Sequence, residues 1–384
     1  MDFKTYFDLK INQSKNKNTN KLKQFFINSE MEILRNKTIS IVGTNGKTST
    51  ANIIYNYLNK KNIKTTKFIS PHLVDIEERI ESSSQLNYLE AFKQVKKFEK
   101  ELGLNLGYFE SLFLIACKVF LLNNDDYFIC EAGIGGKLDT TSIIQSNTVV
   151  LTNIGFDHQE LLGNSKLEIL DQKVNISQNI KNLFIGELDK SLISNIKSLN
   201  NSIERIYFSK DSSLNFDLNF DELSYVQKNA ILAFLVLDKL IDFKNTFSIE
   251  NETFQQPGRF ETVSIKPLKI IDGSHNISGL EAAIRDYQKK YLNDPIDVFV
   301  GFKKGKNYKE MLMLISKYSF FNIFVINDDE FYQQEKVENL TDYLDLIKKN
   351  YAVVPLDYFD NNMNSSILIG SLYLIGEYKK RNKL

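Results

Sequence analysis

The stretch "TISIVGTNGKTSTANIIYNYLNK" (residues 38–60) decides the fold. "TISIV" is short, apolar and β-branched, as a buried strand is. "GTNGKT" breaks it, and Lys47 to Lys60 then follows a helical period. Gly43 and Gly46 let the backbone turn tightly and approach a ligand, and the first-turn amides of the helix point at an anion. In such a loop Lys47 reaches the β- and γ-phosphates and Thr48 sets a hydroxyl on Mg²⁺. The spacing is the compressed form G-x-x-G-K-T. It implies a nucleoside triphosphate and leaves GTPase, kinase, motor and ligase open. An ordinary strand–turn–helix corner with a surface lysine is the plain alternative.

Working outward, strands and helices alternate. "KTTKFIS" reads as a strand ending at Ser70, "YFESLFLIACKVFLL" (108–122) as a buried helix, and "YFICEAG" and "NTVVLTNIG" as short strands bounded by glycine. "SYVQKNAILAFLVLDKLI" (224–241) is a strong helix. Residues 13–20, "QSKNKNTN", read as a polar loop. Pro257-Gly258 interrupts the pattern. Beyond it come "LKIIDG", a helix from about 277, "IDVFVG", a helix from about 307, "FNIFVI", "YAVVPL", "SILIG" and a last helix. This alternation predicts a P-loop-type, mostly parallel α/β sheet domain at 1–255 and a smaller Rossmann-like α/β domain at 256–384.

The 384 residues carry 48 Lys and Arg against 48 Asp and Glu. That balance argues against a nucleic-acid surface, which needs a basic excess. The apolar share of 42 % fills ordinary cores without any run of membrane-spanning length. The charged start "MDFKTYFDLK" lacks a signal-peptide core. Cys117 and Cys130 sit in apolar runs, as buried thiols of a reducing compartment do. The expectation is a cytoplasmic monomer that meets neither membrane nor nucleic acid.

Ligands of an open parallel sheet gather beyond the carboxyl ends of its strands. Ser70-Pro71-His72, then Glu131 with Gly133, Gly135 and Gly136, then Asp157-His158 follow three of the predicted strands. All three histidines, His72, His158 and His275, lie just past strands. Glu131 suits Mg²⁺ on the γ-phosphate and His158 a second ion; a solvated strand-end carboxylate is the plain reading of Glu131. Lys173 lies in the helical "LEILDQKVNI", where a lysine is ordinarily solvated. Buried, its amine would lose its proton and be able to add carbon dioxide as a carbamate. In the second domain "IIDGSHN" ends a strand with Asp272, His275 and Asn276. Arg259 in the hinge suits either a phosphate or an interdomain salt bridge.

In order from 43 to 377, the stretches "GTNGKTS", "SPHLVDIEERI", "YFES", "EAGIGGKLDTTSII", "LTNIGFDHQELLG", "QKVNI", "NAILA", "PGRFE", "IDGSHN" and "GSLYLIGE" resemble the folylpolyglutamate synthase and dihydrofolate synthase family of the Mur-ligase superfamily. The resemblance implies an ATP-dependent ligase that joins L-glutamate to the carboxylate of dihydropteroate or a reduced folate. It makes the first domain the ATP-binding, Mur-ligase-like central domain and the second the glutamate-ligase domain. It assigns the ATP phosphates to Asn45, Gly46, Lys47, Thr48 and Ser49, and further nucleotide contacts to Asn229, Arg259 and Asp272. Mg²⁺, as two ions, falls to Ser70, Glu131 and His158. Lys47, Lys173 and His158 are the catalytic candidates, with Lys173 at the position carbamylated in the family. Tyr108, Phe109, Glu110, Leu138, Asp139 and Thr140 match segments that border the pterin-bearing substrate.

The chain departs from the family at Thr48, where glycine is usual, and at Lys137, Thr141 and Ser142, where Arg, Ala and Asn are usual. The loop at 301–307 lacks the acidic residues often found there. A peptidoglycan-type amino-acid ligase would share the ATP site, and a non-enzymatic nucleotide-binding regulator would share Lys47. "SPHL", "YFE" and "GGKLD" favour the folate reading over the first, and retention of Glu131 and His158 disfavours the second.

Overall fold

The computed structural model describes residues 3–10, 19–84, 87–211, 220–241, 254, 256–291, 294–328, 330–331 and 333–384. Its chain divides into two compact units. The first holds residues up to 72, 76–223 and 227–252; the second holds 73–75, 224–226 and everything from 253 on.

The first unit is built on seven strands: β1 (Thr38–Val42), β2 (Thr65–Phe68), β3 (Ile80–Ser82), β4 (Tyr127–Glu131), β5 (Thr148–Asn153), β6 (Asn182–Glu187) and β7 (Arg205–Phe208). They lie in the order β3-β2-β4-β1-β5-β6-β7. All pair in parallel except β3, which runs antiparallel to β2. Side chains alternate across the sheet. Phe128, Cys130, Val149, Leu151, Leu183 and Ile185 bury on one face, the first two against the Tyr108–Asn123 helix. Ile39, Ile41, Ile129, Val150 and Phe184 alternate to the other face and are as fully buried. The Lys47–Lys60 and Tyr225–Ile241 helices meet through Tyr57 and Phe234, whose rings lie 5.4 Å apart.

Because β1 is followed by a strand on one side and β4 by a strand on the other, the sheet has its topological switch between β1 and β4. Ile41 pairs with Glu131 there. The crevice at their carboxyl ends is the position where such sheets bind ligands.

The second unit has β8 (Glu261–Ile265), β9 (Leu268–Asp272), β10 (Ile296–Val300), β11 (Phe321–Ile326), β12 (Tyr351–Val354) and β13 (Ser366–Ile369), in the order β12-β11-β10-β13-β9-β8. Only β8 is antiparallel, as a hairpin with β9. Ile270, Val298, Val300, Ile323 and Ile367 bury on one face, and Ile271, Phe299 and Leu368 on the other. Helices cover both faces, the doubly wound arrangement that the alternating sequence predicts.

Some sequence expectations are corrected. Of the loop expected at 13–20, residues 13–18 lie outside the described residues, but Thr19–Leu22 is a helical turn. The strand expected over "KTTKFIS" is shorter, Thr65–Phe68. Cys117 and Cys130 are free and fully buried, and burial pushes both thiols up. Among the described residues no helix is long and apolar enough to cross a membrane.

The antiparallel edge is pinned by a buried acid. Asp125 accepts hydrogen bonds from Thr66 Oγ1 (2.6 Å), Ser82 Oγ (3.1 Å) and Ser84 Oγ (2.7 Å), and its side chain is fully buried. Replacing it by alanine strips three hydroxyls of their acceptor. Asp125→Ala is expected to cost about 2–3 kcal/mol, read as a lower urea midpoint at unchanged slope; an unchanged midpoint would show that the cluster holds nothing.

Candidate active site

The β1 loop is fastened to the end of β5. Thr44 N donates to Asn153 O (3.1 Å) and Asn45 N to Asn153 Oδ1 (2.9 Å). Thr152 Oγ1 donates to Asn45 O (2.6 Å), and Thr44 Oγ1 to Gly155 O (3.0 Å). Glycine is required twice. Gly43 has φ +152° and lies against Thr152, and Gly46 has φ +83° and lies against the Asn229 amide, so a Cβ at either would collide with that side chain. Gly46 is the N-cap of the Lys47–Lys60 helix and provides no side-chain acceptor. The amides of the first turn, which have no partner within the helix, are thus presented to an anion. Lys47 Nζ is folded back onto Gly43 O (3.0 Å) and Thr44 O (3.2 Å). Ser49 is buried in the first turn.

Across the switch point stands Glu131, 1 % exposed at the end of β4. Its carboxylate accepts from Thr48 Oγ1, at 3.1 Å to Oε1 and 2.9 Å to Oε2, and from Ser70 N at 3.3 Å. The structure therefore brings Thr48, Ser70 and Glu131 together. The carboxylate and the Thr48 hydroxyl are hard oxygens of the kind Mg²⁺ takes, and Ser70 meets the carboxylate through its backbone amide. His158 follows β5 in the left-handed region (φ +51°), its ring near Asp157 (3.9 Å) and Glu160 (3.5 Å). Its loop is tied to the β1 loop through the Thr44–Gly155 pair. Among the described residues no three His, Cys, Asp or Glu side chains form a metal-holding group; the Ser70–Glu131–His158 set contains two of those types.

Lys173 is buried, 2 % exposed, and donates to Gly43 O at 2.8 Å. Burial, and then the nearby Lys47 charge, push its pKa down to about 7; Asp157 and Asp139 pull the other way. The glycine run passes directly over this helix. A Cβ on Gly136 would lie 2.5 Å from Gln172 O and 2.9 Å from Lys173 Cα, and Lys137 N donates to Gln172 O at 2.6 Å. Asp139 caps the Thr140–Ile144 turn, accepting from Thr141 N (2.9 Å) and Ile134 N (3.0 Å). The Phe109 ring and Asp139 both lie against Gly133. Tyr108 packs under the Arg79 guanidinium (5.0 Å), and Glu110 caps its own helix by accepting from Gly107 N at 2.5 Å. Thr140 is buried, while Leu138 is 65 % exposed.

In the second unit, fully buried Asp272 accepts from Tyr225 Oη (2.6 Å), Phe260 N (2.7 Å), Ser274 N (2.9 Å) and Ser274 Oγ. Arg259 Nη1 donates to Gly258 O at 3.2 Å and stands over Gly273. His275 Nδ1 lies 3.0 Å from Gly273 O.

Sequence reasoning missed Thr152 and Asn153. Their signal was position: each follows or ends β5, the strand beside β1. It also missed Arg79, whose Nε donates to His72 Nδ1 at 2.9 Å.

The family model for the Mur ligase middle domain matches residues 41–260, more than half of the chain. The dihydrofolate synthase/folylpolyglutamate synthase of Buchnera aphidicola subsp. Schizaphis graminum is 31 % identical over 317 residues, covering 77 % of this chain and 70 % of that protein. Among solved structures, Escherichia coli FolC in complex with DHPP and ADP superposes with a TM-score of 0.80 at 20 % identity, over 99 % of this chain and 96 % of that one. The bifunctional folylpolyglutamate synthase/dihydrofolate synthase of Yersinia pestis, complexed with AMPPNP and Mn ion, gives 0.79 at 21 % identity over 99 % and 97 %.

The close pass of the glycine run over the Lys173 helix is open to a direct check. Gly136→Ala forces backbone against backbone and is expected to cost about 1–3 kcal/mol, seen as a fall in thermal midpoint. An unchanged midpoint would mean that the loop does not run as described.

Proposed function

The chain belongs to the dihydrofolate synthase/folylpolyglutamate synthase family of Mur ligases, and on that premise we propose that it is an ATP-dependent ligase joining L-glutamate to the carboxylate of dihydropteroate or a reduced folate, with release of ADP and phosphate. The observation that carries this reading is the meeting of Thr48 and Ser70 on the Glu131 carboxylate, beside Lys47, at the switch point of the sheet. Complexes of the two structural neighbours, with ADP in one and AMPPNP and Mn ion in the other, support ATP and a divalent metal as the cofactors.

A carboxylate is a poor electrophile. Its oxygen attacks the γ-phosphorus of ATP, the bond to the β-bridging oxygen breaks, and ADP leaves. The acyl phosphate has a good leaving group. The uncharged amine of glutamate then attacks the acyl carbon, an amide forms, phosphate departs, and the amine's proton is lost to solvent. Lys47 leaves its two carbonyl partners to neutralise charge on the transferring phosphoryl group, and the first-turn amides, with Asn45 and Ser49, hold the phosphates. Thr48, Ser70 and Glu131 would hold one Mg²⁺ and His158 a second, and bound metal would supply further charge neutralisation. Asn229 lies against Gly46 and borders the nucleotide; Arg259 and Asp272 complete the nucleotide contacts. Tyr108, Phe109, Glu110, Leu138, Asp139 and Thr140 border the pterin. Residues 1–255 serve as the ATP-binding domain and 256–384 as the glutamate-ligase domain. The enzyme acts as a cytoplasmic monomer on small molecules, without membrane or nucleic acid.

The purified chain with ATP, glutamate and dihydropteroate or tetrahydrofolate is expected to release phosphate only when both acceptor and glutamate are present. Lys47→Ala should lower the rate by about 100-fold or more. Background rates with both pteridines, but release with a UDP-linked muramyl acceptor, would make it a peptidoglycan-type ligase instead. Tight ATP binding with no productive acceptor would point to a regulator.

Lys173 is carbamylated in this reading. The ammonium form cannot add carbon dioxide, so the amine must first lose its proton. With a pKa of about 7, about a tenth is free amine at pH 6 and about nine tenths at pH 8. Labelling with ¹³C-bicarbonate should therefore give a carbamyl signal that grows from pH 6 to pH 8 and disappears in Lys173→Ala. No signal at pH 8, or one that survives the substitution, would contradict it.

A further inference from the structure

Residues 257–260 of the second unit form a turn that is fastened along its length. Arg259 N donates to Gln256 O at 3.0 Å, closing a β-turn with Pro257 and Gly258 at its centre. Gly258 has φ +65°, the positive value that the second central place of a type II turn demands. Phe260 follows with φ +45°. A residue with so large a side chain is strained in that region, and such strain persists only where the surroundings impose it.

Two carboxylates impose it. Asp272 accepts from Phe260 N at 2.7 Å. Glu261, the first residue of β8, accepts from Gly258 N at 2.6 Å through one oxygen and from Lys379 Nζ at 2.8 Å through the other. Gly258 O accepts from Gly273 N at 2.9 Å. The Glu261 and Lys379 side chains are 16 % and 8 % exposed. Lys379 lies in the Leu372–Asn382 helix, one turn beyond Ile375. A Cβ on Gly258 would lie 3.1 Å from Ile375 Cγ2, so one face of that helix covers the glycine and grips the carboxylate. A buried ion pair commonly stabilises a fold no better than apolar side chains of the same volume. What this pair does locally is fix the direction in which Glu261 faces the turn. Between the two amides clamped by Glu261 and Asp272 stands Arg259, and its guanidinium leaves the turn over Gly273. Relaxation at Gly258 or Phe260 would swing that side chain away.

We infer that Glu261 and Lys379 are positioning residues: with Asp272 they hold the turn in its strained form and so aim the Arg259 guanidinium at the nucleotide. The inference rests on the nucleotide contact proposed above for Arg259, and not on which acceptor the enzyme uses.

Calorimetric titration of the full chain with AMPPNP and Mg²⁺ tests it through a double-mutant cycle. Arg259→Ala is expected to weaken binding about tenfold and Glu261→Ala about fivefold or more, as loss of a charge-assisted contact does. In the Arg259→Ala background, Glu261→Ala should weaken it further by less than about twofold, because both changes remove one interaction. Lys379→Met should behave like Glu261→Ala, whereas Lys379→Arg, which keeps the cation, should bind within about twofold of the native chain. Should Glu261→Ala fail to fold, the two Lys379 variants decide the matter. A purely structural role would lower the fitted number of sites and leave the affinity alone. Unchanged affinity in Glu261→Ala or Lys379→Met beside a loss in Arg259→Ala, or equal losses from Glu261→Ala in both backgrounds, would overturn the positioning role alone. Unchanged affinity in Arg259→Ala would overturn the nucleotide contact itself, and the positioning role with it.

Discussion

The structure of the site depends on one buried carboxylate. Glu131 ends β4 at the place where the sheet changes winding direction, and it accepts the Thr48 hydroxyl and the Ser70 amide. Those donors come from the helix after β1 and the loop after β2. A carboxylate that is 1 % exposed is stable only with such donors or a cation beside it. The burial of Glu131 thus brings three separate strand ends into register and leaves a hard-oxygen set facing the phosphate loop.

Close backbone approach is the second constraint, and it explains the glycines. Gly43 and Gly46 let the β1 loop lie against Thr152 and Asn229, and Gly136 lets the 133–137 run cross the Lys173 helix. The same crossing shuts Lys173 away from water. Desolvation, with Lys47 nearby, drives its pKa to about 7. Packing and proton affinity are here one effect: the loop that orders the site also prepares the amine.

The doubly wound fold was legible because strand–loop–helix alternation is strong on both sides of Pro257-Gly258. The helices at Lys47–Lys60 and Ile277–Tyr291 begin where the sequence period begins. The antiparallel edge β3 was not legible, since three residues carry no readable alternation; its place is set by Asp125, far along the chain. The N-terminal helix Phe3–Lys10 was missed because its contribution, Tyr6 and Phe7 in the core, is tertiary. At the site, the sequence pointed to Glu131, Ser70 and Lys47 by strand-end position. The burial of Lys173 left a signal that was passed over. Ile169, Leu170, Lys173 and Val174 form one buried stripe of their helix, so the lysine sits on the apolar face. Glu110 was read for the substrate, whereas its spacing from Gly107 also fits the helix cap it forms. The four donors around Asp272 were illegible because they come from residues 225, 260 and 274.

The central claim is that Glu131 couples divalent metal to the triphosphate. Calorimetric measurement of ATP affinity with and without Mg²⁺, in the native chain and in Glu131→Gln, tests it most directly. The account predicts that Mg²⁺ tightens ATP binding in the native chain and that this increment is lost in the variant, while metal-free ATP binds both alike. An equal Mg²⁺ increment in the two proteins would contradict it.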